Sequence, residues 1–181
     1  YSSESVSHSA SRGEWQDKKH VYNNYDNHWV GWGDSLRKTW KFVDTREWDA
    51  GTFVWTGFDY RGEPTPVNAW PVISSYFGIV DTCGFAKDSF YLMQALWTDK
   101  PMAHVFPHWN LGKDMIGKKV KVGTYTNGDE AELFLNGKSL GVRKKGKGEK
   151  DRYRLVWEDV KYTPGTLKVV AKKDGKVWAT D

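Results

Sequence analysis

The chain has 181 residues, of which 39% are hydrophobic, 28% charged and 15% aromatic. This balance is ordinary for a folded protein and excludes intrinsic disorder. The apolar runs are far shorter than the ~20 residues that cross a bilayer, so we predict no membrane partner. The single cysteine, Cys83, excludes an internal disulfide and a cysteine-based zinc site.

Charge and tryptophan are divided unevenly along the chain. Residues 1–100 carry 10 basic and 13 acidic side chains, whereas residues 101–181 carry 17 and 10. Eight of the 11 tryptophans also lie in the first part. This division indicates two domains, 1–100 and 101–181. The chain begins at Tyr1 without an initiator methionine or a signal peptide, from which we expect a piece of a longer protein.

The first part mixes helix and strand. Asp34 is the predicted N-cap of a helix from Ser35 to about Val43. Residues 52–60 are nearly continuous in apolar character, which is typical of a buried parallel strand. A loop rich in proline and glycine follows, and residues 87–97 then predict a second amphipathic helix. One parallel strand and two helices cannot bury both faces of that strand, so we expect further strands upstream.

The second part alternates apolar and polar residues over short segments separated by turns. The pair Asn136-Gly137 is a strong signal for a β-hairpin. No helical period interrupts the pattern, which predicts an all-β sandwich of immunoglobulin type. The predicted strands are 120–126, 131–135, 139–142, 152–157, 166–171 and 177–179.

Carboxylates and aromatic residues are the candidate functional groups of the first part. Such a set suits a sugar, whose C–H faces stack on aromatic rings while its hydroxyls bond to acidic and amide groups. From the residues alone, each one also has an ordinary structural role, as an exposed acid or a core aromatic. The candidates are Glu4, Trp55, Asp59, Glu63, Tyr25, Asp26 and Asn27.

An ordered series of motifs runs through the whole chain and resembles glycoside hydrolase family 2. The resemblance is strongest to the β-galactosidases of that family from gut and rumen Bacteroidota. In the second part it lies in Tyr125-Thr126-Asn127 and in residues 132–141. In the first part the motifs are Ser3-Glu4-Ser5, Ser11-Arg12-Gly13, Tyr25-Asp26-Asn27, Trp32-Gly33, residues 51–60, residues 62–66, Trp70-Pro71, residues 74–81 and Gly84-Phe85.

The resemblance implies the last part of a catalytic (β/α)8 (TIM) barrel, followed by the sandwich. Glu4 would be the nucleophile at the end of strand seven, and residues 34–48 would belong to the helix after it. Residues 52–60 would be strand eight, and 86–97 the last helix. Trp55 would wall the sugar subsite, with a supporting role for Asp59. Tyr25 and Asn27 are further candidates for substrate binding.

The same resemblance implies cleavage of terminal β-galactosides by double displacement. That reaction needs two carboxyl groups about 5–5.5 Å apart. The family places its acid/base glutamate on strand four, and Glu14, Glu47 and Glu63 lie in other motifs. We therefore expect the chain alone to be inactive and to need the remainder of the barrel as its partner. The resemblance implies no cofactor or metal. It does imply export to the periplasm or to the outside of the cell.

Several alternatives stay open at this point. The chain could belong to a β-glucuronidase of the same family, to a homo-oligomer, or to a non-catalytic carbohydrate-binding or scaffolding sandwich. The basic residues 143–148 lack interleaved aromatics, so we interpret them as a solvated loop rather than a nucleic-acid site. Trp157 and Trp178 are predicted core residues, and Cys83 a buried thiol. Lys87 is predicted to lie on the surface or cap a helix, and residues 104–109 to form a linker.

Overall fold

The computed structural model describes residues 1–65, 67–148 and 150–181, so Pro66 of the motif at 62–66 and Glu149 of the loop after the basic run lie outside the described residues. The described chain divides into two units, Tyr1–Phe90 and Tyr91–Asp181. In the described part of the chain, no helix combines the length and hydrophobicity needed to cross a bilayer. The assignment of residues 1–100 to a barrel and 101–181 to an immunoglobulin-like domain stays a prediction.

Two parallel strands organise the first unit. Strand β1 (Ser2–Val6) pairs with β2 (Thr52–Trp55), and helix α1 (Leu36–Asp44) lies between them in sequence. Helix α2 (Asp88–Trp97) begins in this unit and continues into the second. Because parallel strands run in the same direction, their carboxyl ends meet at one edge. Val6 pairs with Trp55 at that edge.

Helix α1 is capped by Ser35, so the prediction of Asp34 as the N-cap is wrong by one residue. Ser35 has an extended backbone, and its hydroxyl accepts a hydrogen bond from the amide of Lys38. The Asp34 carboxylate accepts instead from the amide of Ser35, at 2.7 Å. Both residue types are good caps, and the position is decided by which one leads into helical backbone.

Strand β2 is shorter and more exposed than the predicted strand 52–60. It ends at Trp55, and Phe53 within it is 67% exposed. The backbone then turns: the amide of Thr56 donates to Phe77 and the carbonyl of Thr56 accepts from Ile79. The apolar residues after Trp55 therefore lie in a loop held by another loop rather than in a strand.

The described residues of the second unit form two antiparallel sheets. Their strands are β3 (Ala103–Phe106), β4 (Lys119–Thr126), β5 (Glu130–Leu135), β6 (Lys138–Lys144), β7 (Leu155–Lys161), β8 (Leu167–Lys173) and β9 (Lys176–Thr180). One sheet has the order β3-β4-β7 and the other β6-β5-β8-β9. The connection between β3 and β4 includes a short 3₁₀ helix, Lys113–Met115.

The core of this unit is drawn from alternate positions of both sheets, which confirms the predicted β-sandwich. Trp157 is buried in it, as predicted, and its indole N–H donates to the carbonyl of Gly141 at 3.0 Å. The predicted hairpin at Asn136-Gly137 is also present, with positive φ at both residues. The buried core residues are Val122, Ala131, Leu133, Leu155, Trp157, Val160, Val169 and Ala171.

Two strands differ from the prediction. Residues 104–109 are not a plain linker, because Ala103–Phe106 pairs with β4 as an edge strand. It is short because Pro107 has no amide hydrogen to continue the ladder. Strand β7 begins at Leu155 rather than at Arg152, whose amide bonds to the carbonyl of Gly148 in a turn.

Asn127 is a hydrogen-bonding centre of the second unit. Its amide nitrogen donates to the carbonyls of Thr98 and Lys100, at 2.8 and 2.7 Å. Its side-chain oxygen accepts from the amide of Met102 and from the indole of Trp178, at 3.2 and 2.6 Å. One side chain thus joins the segment before β3 to the β4–β5 turn and to β9. Trp178 is only partly buried and is not among the residues of the buried core, so its prediction as a core residue is wrong.

We expect Asn127→Ala to destabilise the second unit by about 3 kcal/mol, because four polar groups lose their partner. The measurement is urea unfolding followed by tryptophan fluorescence. Asn110→Ala, at an exposed asparagine, is the matched control and should change the free energy of unfolding by less than about 0.5 kcal/mol. Equal effects of the two variants would contradict the role given to Asn127.

Candidate functional site

The predicted nucleophile and the predicted sugar wall lie on neighbouring strands. Glu4 lies on β1 and is exposed, two residues before the carboxyl end of the strand. Trp55 is the last residue of β2 and is 38% exposed. The ring of Tyr60 meets that of Trp55 edge-on, with centroids 5.9 Å apart. The pairing of β1 with β2 therefore sets an exposed carboxylate beside an aromatic wall.

Tyr60 links this wall to two carboxylates. Its hydroxyl donates to Glu63 at 2.7 Å. Burial, the hydrogen bond to Glu63 and the negative charges of Glu63 and Glu4 raise the pKa of the Tyr60 phenol, while a side-chain hydrogen bond with Trp55 lowers it. The phenol is therefore neutral at pH 7. The influence of Glu4 on Tyr60 places these groups in one electrostatic environment.

Asp59 is held by a buried lysine. Lys87 Nζ lies 2.8 Å from each carboxylate oxygen of Asp59. The same ammonium donates to the carbonyls of Ala10 and Tyr76, at 2.7 and 3.2 Å. The amide of Gly78 donates to Asp59 at 2.7 Å. The prediction that Lys87 lies on the surface is wrong, because these acceptors converge on a side chain that is 0% exposed.

Burial opposes the charges of this pair. It raises the pKa of Asp59 and lowers the pKa of Lys87, and in each case the opposite charge of the partner works against the shift. A buried pair of this kind persists only where further hydrogen bonds complete it. Gly78 provides one of them, and a Cβ atom at this glycine would collide with the backbone of Asp59.

The predicted site residues Tyr25 and Asn27 flank a structural aspartate. Tyr25 is buried and Asn27 is exposed. Between them, Asp26 accepts hydrogen bonds from the amides of Leu36 and Arg37, at 2.8 and 3.1 Å. Asp26 also accepts from Arg37 Nε at 2.9 Å. A carboxylate at the amino end of α1 satisfies free amides and complements the helix dipole. Substrate binding by Tyr25 and Asn27 stays a prediction.

His8 is a buried titratable group that sequence reasoning missed. Its Nδ1 lies 3.3 Å from the carboxylate of Asp26, and its side chain is almost fully buried. Burial lowers the pKa of His8 to about 4, although the charge of Asp26 acts in the opposite direction. The imidazole is therefore neutral at pH 7. The 18 positions between His8 and Asp26 gave no local signal of their contact.

The backbone directly after Glu4 is unusual. Val6 and Ser7 have φ values of 82° and 53°. Positive φ at a β-branched residue costs of order 1–3 kcal/mol and persists only where other contacts enforce it. Here the amide of Asp34 donates to the carbonyl of Val6 at 2.6 Å. Gly33 permits this approach, since a Cβ atom there would lie 2.8 Å from that of Ser7.

Cys83 has no place in this arrangement. Cys83 is exposed, which overturns the prediction of a buried thiol. Its amide donates to the carboxylate of Asp81, and this turn keeps the residue in a surface loop. Within the described residues, no cluster of three or more histidine, cysteine or acidic side chains is arranged to hold a metal ion.

The pKa of His8 makes the stability of the protein sensitive to acid. The folded-state pKa of about 4 lies below the ordinary value of 6.5, so the unfolded chain binds the proton more readily. The contribution of His8 to stability is therefore constant above pH 6.5 and falls by up to about 3 kcal/mol as the pH drops through 4. In His8→Gln we expect this part of the pH dependence to disappear in urea unfolding.

The control for this experiment is His108→Gln, at an exposed histidine. It should keep the pH dependence of the unmodified protein. The comparison uses the slope of the unfolding free energy against pH rather than its absolute value. An unchanged slope in His8→Gln would contradict the assignment.

Comparison with known proteins gives consistent matches. Residues 117–179 match the model of a domain of unknown function, DUF4982. Over 164 residues the chain is 47% identical to the beta-galactosidase BoGH2A of Bacteroides ovatus, which covers 90% of this chain and 18% of that protein. It is 40% identical over 171 residues to a putative beta-glucuronidase of Formosa agariphila, covering 90% of this chain and 16% of the relative.

Solved structures give the same picture. A beta-glycosidase from Bacteroides vulgatus superposes with a TM-score of 0.85 at 32% identity, covering 99% of this chain and 26% of that chain. A glycosyl hydrolase family 2 member from Bacteroides cellulosilyticus gives a TM-score of 0.68 at 31% identity, with coverages of 80% and 23%. The chain thus spans less than a fifth of these curated relatives. It belongs to glycoside hydrolase family 2.

Proposed function

We propose that this chain is the C-terminal part of a retaining glycoside hydrolase that cleaves terminal β-galactosides. The observation that carries the proposal is the 47% identity to a beta-galactosidase over 90% of the chain. The exposed Glu4 beside Trp55 supports it, because a carboxylate and an aromatic face are the groups that such a site needs.

In this proposal the first unit completes a (β/α)8 barrel. The order β1-α1-β2-α2, with the two strands parallel, repeats the unit from which such barrels are built. The exposure of Phe53 on β2 fits a strand that the rest of the enzyme would cover. Active-site residues of barrels lie at the carboxyl ends of the strands. Trp55 is the last residue of β2, and Glu4 lies two residues before the carboxyl end of β1.

Glu4 acts as the nucleophile in the proposed reaction. Its ionised carboxylate attacks the anomeric carbon, while a carboxylic acid supplied by the rest of the enzyme protonates the departing glycosidic oxygen. The acid, now a carboxylate, takes a proton from water, and the oxygen of that water attacks the glycosyl ester and releases Glu4. Trp55 offers its ring to the C–H face of the sugar. No cofactor takes part, because each step is a displacement at carbon.

The remaining parts of the proposal follow from this assignment. The chain alone is inactive, because the acid/base carboxyl and most of the barrel belong to the remainder of the enzyme. That remainder and the carbohydrate substrate are its partners. In this proposal the enzyme acts in the periplasm or outside the cell, as the family resemblance implies.

In the full-length enzyme, we expect Glu4→Gln to lower kcat on an aryl β-galactoside by at least about 10³-fold, because the amide cannot form the glycosyl ester. Folding should be unchanged, since Glu4 is exposed on the surface of this unit. Steady-state kinetics and thermal unfolding measure the two effects.

Glu47→Gln is the matched control, because Glu47 is also an exposed glutamate of the first unit. Its kcat should stay within about twofold of the unmodified enzyme. A Glu4→Gln enzyme that kept most of its activity would overturn the assignment of the nucleophile.

A second candidate function, β-glucuronidase, is favoured by the 40% identity to a putative beta-glucuronidase. The two sugars differ at carbon 5, where glucuronate carries a carboxylate that needs a cationic or hydrogen-bonding partner. We expect kcat/KM for an aryl β-galactoside to exceed that for the matching β-glucuronide by at least about 10²-fold. The reverse ratio would assign the enzyme to the glucuronidases and leave the role of Glu4 intact.

A further inference from the structure

We infer that Lys87 is a positioning residue for the proposed hydrolysis, acting by tying together the segments that follow the two strands carrying Glu4 and Trp55. This inference rests on the proposed function, because it assigns a role within that same site. It concerns a side chain that is 0% exposed and that lies 28 positions from its partner Asp59.

Every hydrogen of the Lys87 ammonium has an acceptor. An ammonium group has three N–H bonds to donate. They are directed at the carboxylate of Asp59, the carbonyl of Ala10 and the carbonyl of Tyr76, at 2.7 to 3.2 Å. A fully buried group with its donors occupied does not contact a sugar. Lys87 therefore acts through the residues that it holds.

The three acceptors belong to three different segments. Ala10 follows β1 and lies six residues after Glu4. Asp59 follows β2 and directly precedes Tyr60, whose ring packs edge-on against Trp55. Tyr76 belongs to the loop that bonds to the backbone just after β2. One ammonium thus fixes the chain after both strands with respect to each other.

Both carboxylate oxygens of Asp59 also have hydrogen-bond or ion-pair partners. One of its carboxylate oxygens accepts from Lys87 and from the amide of Gly78, at 2.8 and 2.7 Å. The other oxygen is 2.8 Å from Lys87. These contacts use the carboxylate to hold the loop, so its effect on substrate passes through the adjacent Tyr60 and Trp55.

Loss of the ammonium would release these segments without dismantling the strands, because the β1–β2 ladder does not involve Lys87. Misplacing a reacting group by about 1 Å costs a rate factor of about 10². A buried carboxylate that has lost its cation is also unstable, and it becomes hydrated or protonated. Removing Lys87 should therefore slow catalysis more than it weakens sugar binding.

The test uses the full-length enzyme with Lys87→Met, Lys87→Arg and the exposed-site control Lys19→Met. The substrate is whichever aryl glycoside the unmodified enzyme hydrolyses faster, galactoside or glucuronide. Titration with the corresponding free sugar counts the intact sites, so that kcat is expressed per binding site. This correction separates slower chemistry from a smaller folded fraction.

We expect Lys87→Met to lower kcat per site by about 10- to 100-fold while the dissociation constant of the free sugar changes by less than about threefold. Lys87→Arg should recover part of the loss, since it keeps the charge and several donors in a larger side chain. Lys19→Met should match the unmodified enzyme. A kcat per site within twofold of the unmodified enzyme in Lys87→Met would overturn the inference and leave Lys87 a purely structural residue.

If the Lys87→Met enzyme binds no sugar, the Asp59→Asn enzyme is measured instead. This change removes the negative charge of Asp59, the partner of Lys87, and keeps the shape of the side chain. A lowered kcat per site with unchanged sugar binding supports the inference, and an unchanged kcat overturns it.

Failure of the proposed function gives a different result. In that case the unmodified enzyme hydrolyses neither glycoside, or Glu4→Gln keeps its activity.

Discussion

The parallel pairing of β1 with β2 is the constraint on which the candidate site depends. It brings the carboxyl ends of two strands, separated by more than 45 residues in sequence, to one edge, where Val6 pairs with Trp55. Glu4 and Trp55 become neighbours for this reason alone. Neither residue needs a specific contact with the other, because the backbone ladder sets their separation.

Buried polar groups then fix the chain where it leaves these strands. Asp26 holds the first turn of α1 and lies against His8, while Lys87 and Asp59 join the segments after β1 and β2. Each group loses solvation on burial, as the pKa shifts of His8, Asp59 and Lys87 indicate. Such networks stabilise one arrangement because any other leaves a buried charge unpaired. The strained backbone at Val6 lies within the same region.

Much of the second unit could be predicted from its sequence, because short-range signals decide it. Alternation and the Asn136-Gly137 turn predicted most strands of the sandwich. Strand β3 was missed because the four residues before Pro107 are too few to show an alternation of apolar and polar residues. The length of β2 was overestimated, since Phe58 and Tyr60 continue the apolar run beyond the point where the backbone turns into a loop.

The candidate site was less accessible to such reasoning. Glu4 and Trp55 were two of several candidates by residue type, and only the family resemblance gave them predicted roles, because an isolated glutamate and an isolated tryptophan have no distinctive local pattern. The contacts of Lys87 with Asp59 and of His8 with Asp26 join distant positions, so no spacing rule could suggest them. They depend on tertiary structure, which places groups together that the sequence keeps apart.

The proposed double displacement requires a covalent bond between Glu4 and the sugar. The most direct measurement treats the full-length enzyme with an activated 2-deoxy-2-fluoro-β-galactoside, which slows release of the glycosyl ester, and locates the label by peptide mass spectrometry. If Glu4 is the nucleophile, the added mass lies on the peptide containing Glu4 and a competing galactoside prevents labelling. A label on a different carboxylate would contradict it.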